Sequence, residues 1–328
     1  MPQRSPFPPF GLRRLALVSF AAAAVLAFPA ASLRAQAVVA ADSHSGRILI
    51  DQKGSQRRPV DGFASVATAM VALDWSQRVS MDLGMLATVP QGAVVGIYTN
   101  PMGLQPGDRI SFRDLLYSIL LGADDAACMT LAANVGQDLL NRRQKGGDPV
   151  REFVIEMNNL AAKLGATSTS FRTPHGSPPG GRGNGGVTCA RDLARLAIYA
   201  MSNSSFRFYS MQSSRVVSIS RGGQSLHFKI NNYNTYVGRN GIDGVKVVSQ
   251  GQGGPGAILT SKRSHEVTQM IDGRTQLYPR RVVAVVFAPE PVGSAWQALA
   301  AGWQEFDRWS LTGRPYDRRM CILPPSGR

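Results

Sequence analysis

Residues 281–288 read RVVAVVFA, a continuous apolar run rich in β-branched residues. A strand with one wet face alternates apolar and polar positions, whereas an unbroken run of this length reads as a strand buried on both faces. The fold must therefore supply a sheet covered on each side. Val38–Asp51 reads as a hairpin, VVAAD and RILID around a turn at Ser43-His44-Ser45-Gly46. Val245–Gln250 and Ala257–Lys262 read as two strands joined by a glycine turn, and Val216–Lys229 alternates as strand material. Gly84–Asn100 is strand- and loop-like. The middle is helical: Ala64–Trp75, a long stretch Ser111–Val135 opened by Ser111 as N-cap, and Val150–Leu164 stopped at Gly165. Thr188 is expected to cap a helix through Met201, and Ser294–Leu311 is a closing helix. Gly176–Gly186 is a Gly/Pro loop, and the Pro- and Arg-rich tail after Thr312 is expected to be loosely ordered. Strands at both ends with a helical middle give an α/β (α+β) fold, its mainly antiparallel sheet flanked by helices with a helical lobe.

Composition removes several classes. With 44% hydrophobic and 17% charged residues the chain is not intrinsically disordered. Its 328 residues and three cysteines exclude a disulfide-stapled miniprotein. One long apolar run excludes a polytopic membrane protein. That run is N-terminal and reads as a signal peptide: Arg13 and Arg14, the apolar stretch Leu15–Pro29, then Ala35-Gln36-Ala37 as cleavage pattern. Cleavage after Ala37 leaves 291 residues, and because the leader carries four arginines and no acid, the charge falls from +15 to +11. The expected organisation is leader 1–37, one domain over 38–311 and a tail 312–328, exported to the periplasm or beyond, with no stable membrane span after cleavage. The basic charge is mostly arginine, expected to be scattered and solvated. No basic-aromatic array suits nucleic acid, so the expected anionic partners are those of the envelope.

Some patterns mislead. Gly251-Gln252-Gly253-Gly254-Pro255-Gly256 satisfies GxGxxG but leads into the strand-like AILTSK rather than a helix, so it reads as a strand-strand turn. His44, His175, His227 and His265 are isolated, and no paired-cysteine or HExxH signature occurs, so no metal and no cofactor are expected. Cys128, Cys189 and Cys321 are odd in number, so at least one thiol is free or intermolecular.

Five segments, in order, resemble the serine-type D-Ala-D-Ala carboxypeptidases, the low-molecular-mass penicillin-binding proteins. They are AADSHSGRILIDQKGSQRRPVDGFAS, then MGLQPGDRISFRDLLYSILL from Met102, MNNLAAKLGATSTSFRTPHG from Met157, VTCARDLARLAIYAM, and NNYNTYVGRNGIDGVKVV. The resemblance covers about residues 38–311 and implies the penicillin-binding/β-lactamase-like transpeptidase fold. It implies a peptidoglycan stem peptide or related envelope polymer as substrate, with a cell-wall enzyme as a possible partner.

The family's three motifs are carried over residue by residue. In Ser-x-x-Lys, Ser65 falls on the nucleophile, but Thr68 stands where the family lysine takes the serine proton. In Ser-x-Asn, Gly122 replaces the serine relay and Asp124 the asparagine. In Lys-Thr-Gly, Lys246 is kept while Val247 and Val248 replace the carboxylate-binding threonine and the glycine that admits substrate backbone. The implied oxyanion hole uses the backbone N–H groups of Ser65 and Ser249, which survive side-chain change. Two alternatives stand beside these roles: Ser65 as a helix N-cap, and Asp124 as a substitute base or as a solvated or salt-bridged acid. The combined reading is an intact scaffold with impaired catalysis, or a pseudoenzyme that binds cell-wall peptide or a partner enzyme.

Overall fold

The computed structural model describes residues 36–97, 99–178, 185–269 and 275–323. The leader before Gln36 and most of the 176–186 loop lie outside them.

The chain opens with β1 (Ala37–Asp42) and β2 (Ile48–Gln52), the expected hairpin. All six residues of β1 are buried, and its pairing starts at Ala37, where the leader reading ends. After a short β3 (Arg58–Pro59), α1 (Ala64–Val79) runs through the core. Next come β4 (Leu86–Thr88) and β5 (Arg109–Ser111). The expected single helix 111–135 is two: α2 (Phe112–Gly122) and α3 (Asp125–Arg142). Ser111 caps α2 by accepting the Asp114 N–H, as expected. The break falls where Ala123 turns left-handed at φ 49° and Asp124 caps α3. The break carries a local signal in Asp124 and Asp125, an N-cap acid and a first-turn acid, set between apolar stretches.

α4 (Pro149–Lys163) ends before Gly165 at φ +68°. β6 (Ser170–Phe171) and β7 (Gly186–Thr188) form a small sheet with β3. Thr188 lies on β7, so it does not cap α5 (Ala190–Ser202), whose N-cap residue is Cys189. Then come α6 (Ser204–Ser210), β8 (Ser214–Arg221) and β9 (Gln224–Asn231), the last two a hairpin at the edge of the sheet β4-β5-β8-β9. β10 (Ile242–Val248), β11 (Gly256–Gln269), β12 (Thr275–Phe287) and α7 (Pro291–Leu311) follow.

The main sheet has the order β10-β11-β12-β1-β2 and is antiparallel throughout. β12 lies at its centre, and 282–287 are fully buried, as the RVVAVVFA run requires. One face is covered by α7, which reaches Ala40 and Val282 closely because residue 302 has no Cβ to keep it away. α5 also packs against this sheet, with α6 against β10, and α1 packs on α5 and α6 and joins them to α2, α3 and α4, the helical lobe.

The tail is not loosely ordered through Leu323. Cys321 bridges to Arg47, Ile322 N–H donates to Gly46 O at 2.9 Å, and Arg195 donates to Ile322 O at 2.6 Å. Ile322 is buried, so an apolar residue in a polar-looking segment supplies the docking energy. Cys128, Cys189 and Cys321 are all free thiols. Arginines are not simply solvated either: Arg221 pairs with Asp108, Arg281 with Asp243, and Arg143 with Glu152 and Glu156.

Candidate active site

Three segments converge at the sheet edge. α1 brings Ser65 and Thr68, the α2–α3 junction brings Gly122 and Asp124, and β10 brings Lys246, Val247, Val248 and Ser249. Lys246 Nζ on Ile119 O links β10 to α2, and Val248 beside Gly62 links it to the start of α1.

Ser65 is buried in the first turn of α1 and its Oγ donates to Gly62 O at 2.6 Å. It is not the N-cap; that position is Phe63, without a side-chain cap bond. Thr68 is fully buried one turn later, and its Oγ1 donates to Pro174 O at 2.6 Å. Pro174 reaches α1 because the Thr-Pro-His-Gly turn 173–176 passes under its first turn. Gly176 is required there: its φ is +82° and a Cβ would stand 1.8 Å from Asp61 O. Threonine has no basic atom to offer Ser65, and its hydroxyl proton is spent on the proline carbonyl.

Asp124 is neither solvated nor salt-bridged. It is fully buried, and its Oδ1 accepts the Ala127 N–H at 2.9 Å as the cap of α3. Its Oδ2 is buried without a hydrogen-bond partner, so Asp124 is not bonded to Ser65 as a substitute base. Burial pushes its carboxyl up to about 7, the Ala127 N–H opposing. A Cβ at Gly122 would lie 2.7 Å from Ile230 Cγ2, so the β9 isoleucine fills the space of a serine side chain.

Lys246 is buried, and its Nζ donates to Ile119 O at 2.5 Å and Leu120 O at 3.4 Å. These carbonyls lie in the last turn of α2, where no intrahelical donor reaches them and the helix dipole favours a cation. Burial pulls the ammonium down to about 8, opposed by the nearby Cys128, Asp125 and Asp124. Val247 and Val248 are buried as well, and Val248 Cγ2 would stand 3.2 Å from a Cβ at Gly62, the residue that holds the Ser65 hydroxyl. Val248 therefore narrows the space between β10 and the start of α1. Ser249 is exposed at the strand's end.

Other parts of the site were not anticipated. Asp61, at φ +45°, accepts the N–H groups of Gln252 and Gly253 and so ties the 251–256 turn to the start of α1. That turn joins two antiparallel strands, as expected, and binds no helix N-terminus. His175, isolated in sequence, is a buried packing histidine with Nδ1 3.8 Å from Asp125 Oδ2 and accepting the Ser177 N–H at 3.1 Å. Burial holds the imidazole below its ordinary value. Among the described residues no cluster is arranged to hold a metal ion.

Ser65 thus opens a buried helix, and Lys246 lies on the edge strand of the main sheet. The D-alanyl-D-alanine carboxypeptidase family model, peptidase family S11, matches residues 23–266. The chain belongs to this family. Among S11 relatives, D-alanyl-D-alanine carboxypeptidase DacB2 of Mycobacterium tuberculosis is 32% identical over 192 residues, 58% of this chain and 59% of the relative. DacC of Escherichia coli is 29% identical over 175 residues, 51% of this chain and 39% of the relative. The chain thus spans about two fifths to three fifths of the length of these curated relatives. The fold is that of the Streptomyces K15 DD-transpeptidase, with TM-score 0.67 and 21% identity over 84% of this chain and 97% of the other. The ampicillin-bound penicillin-binding protein D2 of Listeria monocytogenes matches with TM-score 0.59 and 20% identity over 84% and 99% of the two chains.

Asp124 gives a testable pH dependence. Its folded value of about 7 lies above the ordinary 3.8, so between these values the folded chain holds a proton the unfolded chain has lost. Stability from this group is therefore lost as pH rises through that window, by about 4 kcal/mol at most for three pH units. Asn caps helices as well as Asp does. D124N is expected to be about 1–3 kcal/mol more stable than the wild type at pH near 8 and nearly equal near pH 4. Urea unfolding at both pH values reads the difference, and a variant weaker at the higher pH would refute the assignment.

Proposed function

We propose that this chain is an exported envelope protein of the D-Ala-D-Ala carboxypeptidase family with impaired acyl-transfer chemistry. Its ligand in this reading is the peptidoglycan stem peptide or a related envelope polymer. Acylation needs a group that takes the serine proton as the bond to the carbonyl forms. The observation that carries the proposal is the Thr68 hydroxyl bonded to Pro174 O at the position where the family places a lysine amine. Loss of a general base costs about 10²- to 10⁴-fold in rate. Val248 against Gly62 and Ile230 in the serine volume at Gly122 further reduce room for an extended peptide beside β10. The backbone N–H groups of Ser65 and Ser249 are the part of the machinery that side-chain replacement leaves untouched.

A second reading, a pseudoenzyme that binds cell-wall peptide or a partner enzyme, is favoured by one specific feature. Lys246 is retained but serves the α2 carbonyls, which gives it a role without catalysis. Fluorescent penicillin tests the chemistry. The wild type is expected to show no adduct above the S65A background under conditions that saturate an active family member. A Ser65-dependent adduct forming at that member's rate overturns the proposal. Rescue of a deletion strain by S65A separates the readings, because only the binding role survives loss of the hydroxyl.

A further inference from the structure

α1, α4 and α5 enclose a cavity of about 470 Å³ away from the candidate site. That volume is in the range of small-molecule sites. Its floor is apolar, Val71 of α1 and Leu160 of α4, both buried. Val71 and Leu160 stand three residues on from Thr68 and Met157, which touch at 3.5 Å. The cavity thus continues the seam between α1 and α4 beyond the motif positions, none of which lines it.

Its walls carry charge of both signs. Arg78 and Lys163 sit in the last turns of α1 and α4, where the helix dipole favours a cation. Arg78 Nε donates to Asp74 O at 3.2 Å, and Lys163 Nζ lies 5.5 Å from the centre of the Tyr199 ring. Among the described residues neither cation has an acid partner. The acids differ from one another. Glu156 is paired with Arg143 at 2.7 Å and accepts Asn159 Nδ2 at 3.2 Å. Asp74 Oδ2 accepts the Tyr199 hydroxyl at 2.8 Å, while its Oδ1 makes no bond among the described residues. Burial and the Asp74 bond push the Tyr199 phenol up to about 12, with the Arg78 charge opposing, so the phenol keeps its proton as donor to Asp74. Arg78, Lys163 and Asp74 therefore converge on one side chain, Tyr199, at the cavity wall.

We propose that this cavity binds a small zwitterion, an amino acid or a dipeptide with both ends free. Its carboxylate lies between Arg78 and Lys163, and its ammonium meets Asp74 Oδ1. Charge-assisted bonds of both signs are then made together. A polyphosphate or dicarboxylate brings negative charge against Asp74 and Glu156, and a simple amine brings positive charge against Arg78 and Lys163. A neutral sugar leaves both cations unmatched. The inference does not depend on whether Ser65 is acylated.

Amide chemical shifts of the full chain, titrated with L-alanyl-L-alanine, test it, because the readout separates the cavity from the cleft at Ser65. Saturable shifts are expected around residues 74–78, 159–163 and 199, with a Kd on the order of 1 mM. The same dipeptide acetylated at one end and amidated at the other carries neither charge and is expected to leave these residues unmoved. R78A/K163A is expected to bind about 10- to 100-fold more weakly. D74N, whose carbonyl still accepts the Tyr199 hydroxyl, is expected to bind about 10-fold more weakly. Absence of saturable shifts at these residues with about 20 mM dipeptide overturns the proposal. Shifts confined to the surroundings of Ser65 and Lys246 overturn it as well, since they place the dipeptide in the cleft. Equal binding of the capped dipeptide assigns the cavity to a neutral ligand, and equal binding of acetate alone assigns it to an anion; either result overturns the zwitterion.

Discussion

K246A is expected to unfold the domain more readily rather than merely to disable a site. The lysine is among the largest fully buried side chains, and its ammonium donates to Ile119 O and Leu120 O. Truncation leaves a cavity the size of a long aliphatic chain and two helix-end carbonyls without a donor. Core truncations of this size cost about 2–5 kcal/mol, and a stranded buried acceptor adds about 1–3 kcal/mol. Removal of a costly buried charge offsets part of this, as the lowered ammonium value of about 8 indicates. The expected net loss is about 3–5 kcal/mol, or roughly a 10 °C fall in Tm for a domain of this size. K246M keeps the methylenes and isolates the ammonium's share, so it is expected to recover about half of the loss. A double-mutant cycle with D124N measures how far the ammonium and the buried carboxyl depend on each other. A K246A protein within 1 kcal/mol of wild type in urea unfolding would falsify the structural role.

The second large effect is a gain. T68K alone is expected to add less than about 10-fold to penicillin acylation, although a general base is worth about 10²- to 10⁴-fold. The new amine enters where the Thr68 hydroxyl meets Pro174 O, and Val248 still closes on Gly62. T68K/V247T/V248G is expected to realise about 100-fold or more over the wild type, because it restores base, hydroxyl anchor and backbone approach together. Stopped samples with fluorescent penicillin give the rates, and S65A in the same background must abolish them. Rates for the triple variant no better than for T68K would mean that Ile230 at Gly122 or the committed Lys246 is the dominant block. I230A/G122S added to the triple variant then tests the first of these, since the serine Cβ otherwise meets Ile230 at 2.7 Å.

Much of the scaffold was legible in the chain. RVVAVVFA announced a buried central strand, and β12 is that strand. The Ser111 cap, the stop at Gly165 and the glycine turn 251–256 follow from local chemistry and stand where expected. Local rules failed where a few atoms override hydropathy. The helix break at Ala123 is set by a left-handed residue and the Asp124 cap between two apolar stretches, and the cap of α5 shifts one residue because Thr188 is claimed by a small sheet. The tail's composition hid Ile322, whose single side chain docks it.

The candidate site divides in the same way. The side-chain chemistry at the motif positions can be read along the chain: serine at 65, threonine at 68, glycine at 122, aspartate at 124, lysine at 246 and valines at 247 and 248. Residue type decides whether an atom can take a proton, and on that ground the proposed impairment of acyl transfer rests. What each residue bonds to depends on partners far away in the chain, which meet it only on folding. Pro174 takes the Thr68 hydroxyl, Ile230 fills the space beside Gly122, and two carbonyls of α2 hold the Lys246 ammonium. These contacts join residues about a hundred positions apart, and no local pattern records which distant atom will satisfy a buried polar group or fill a vacated volume.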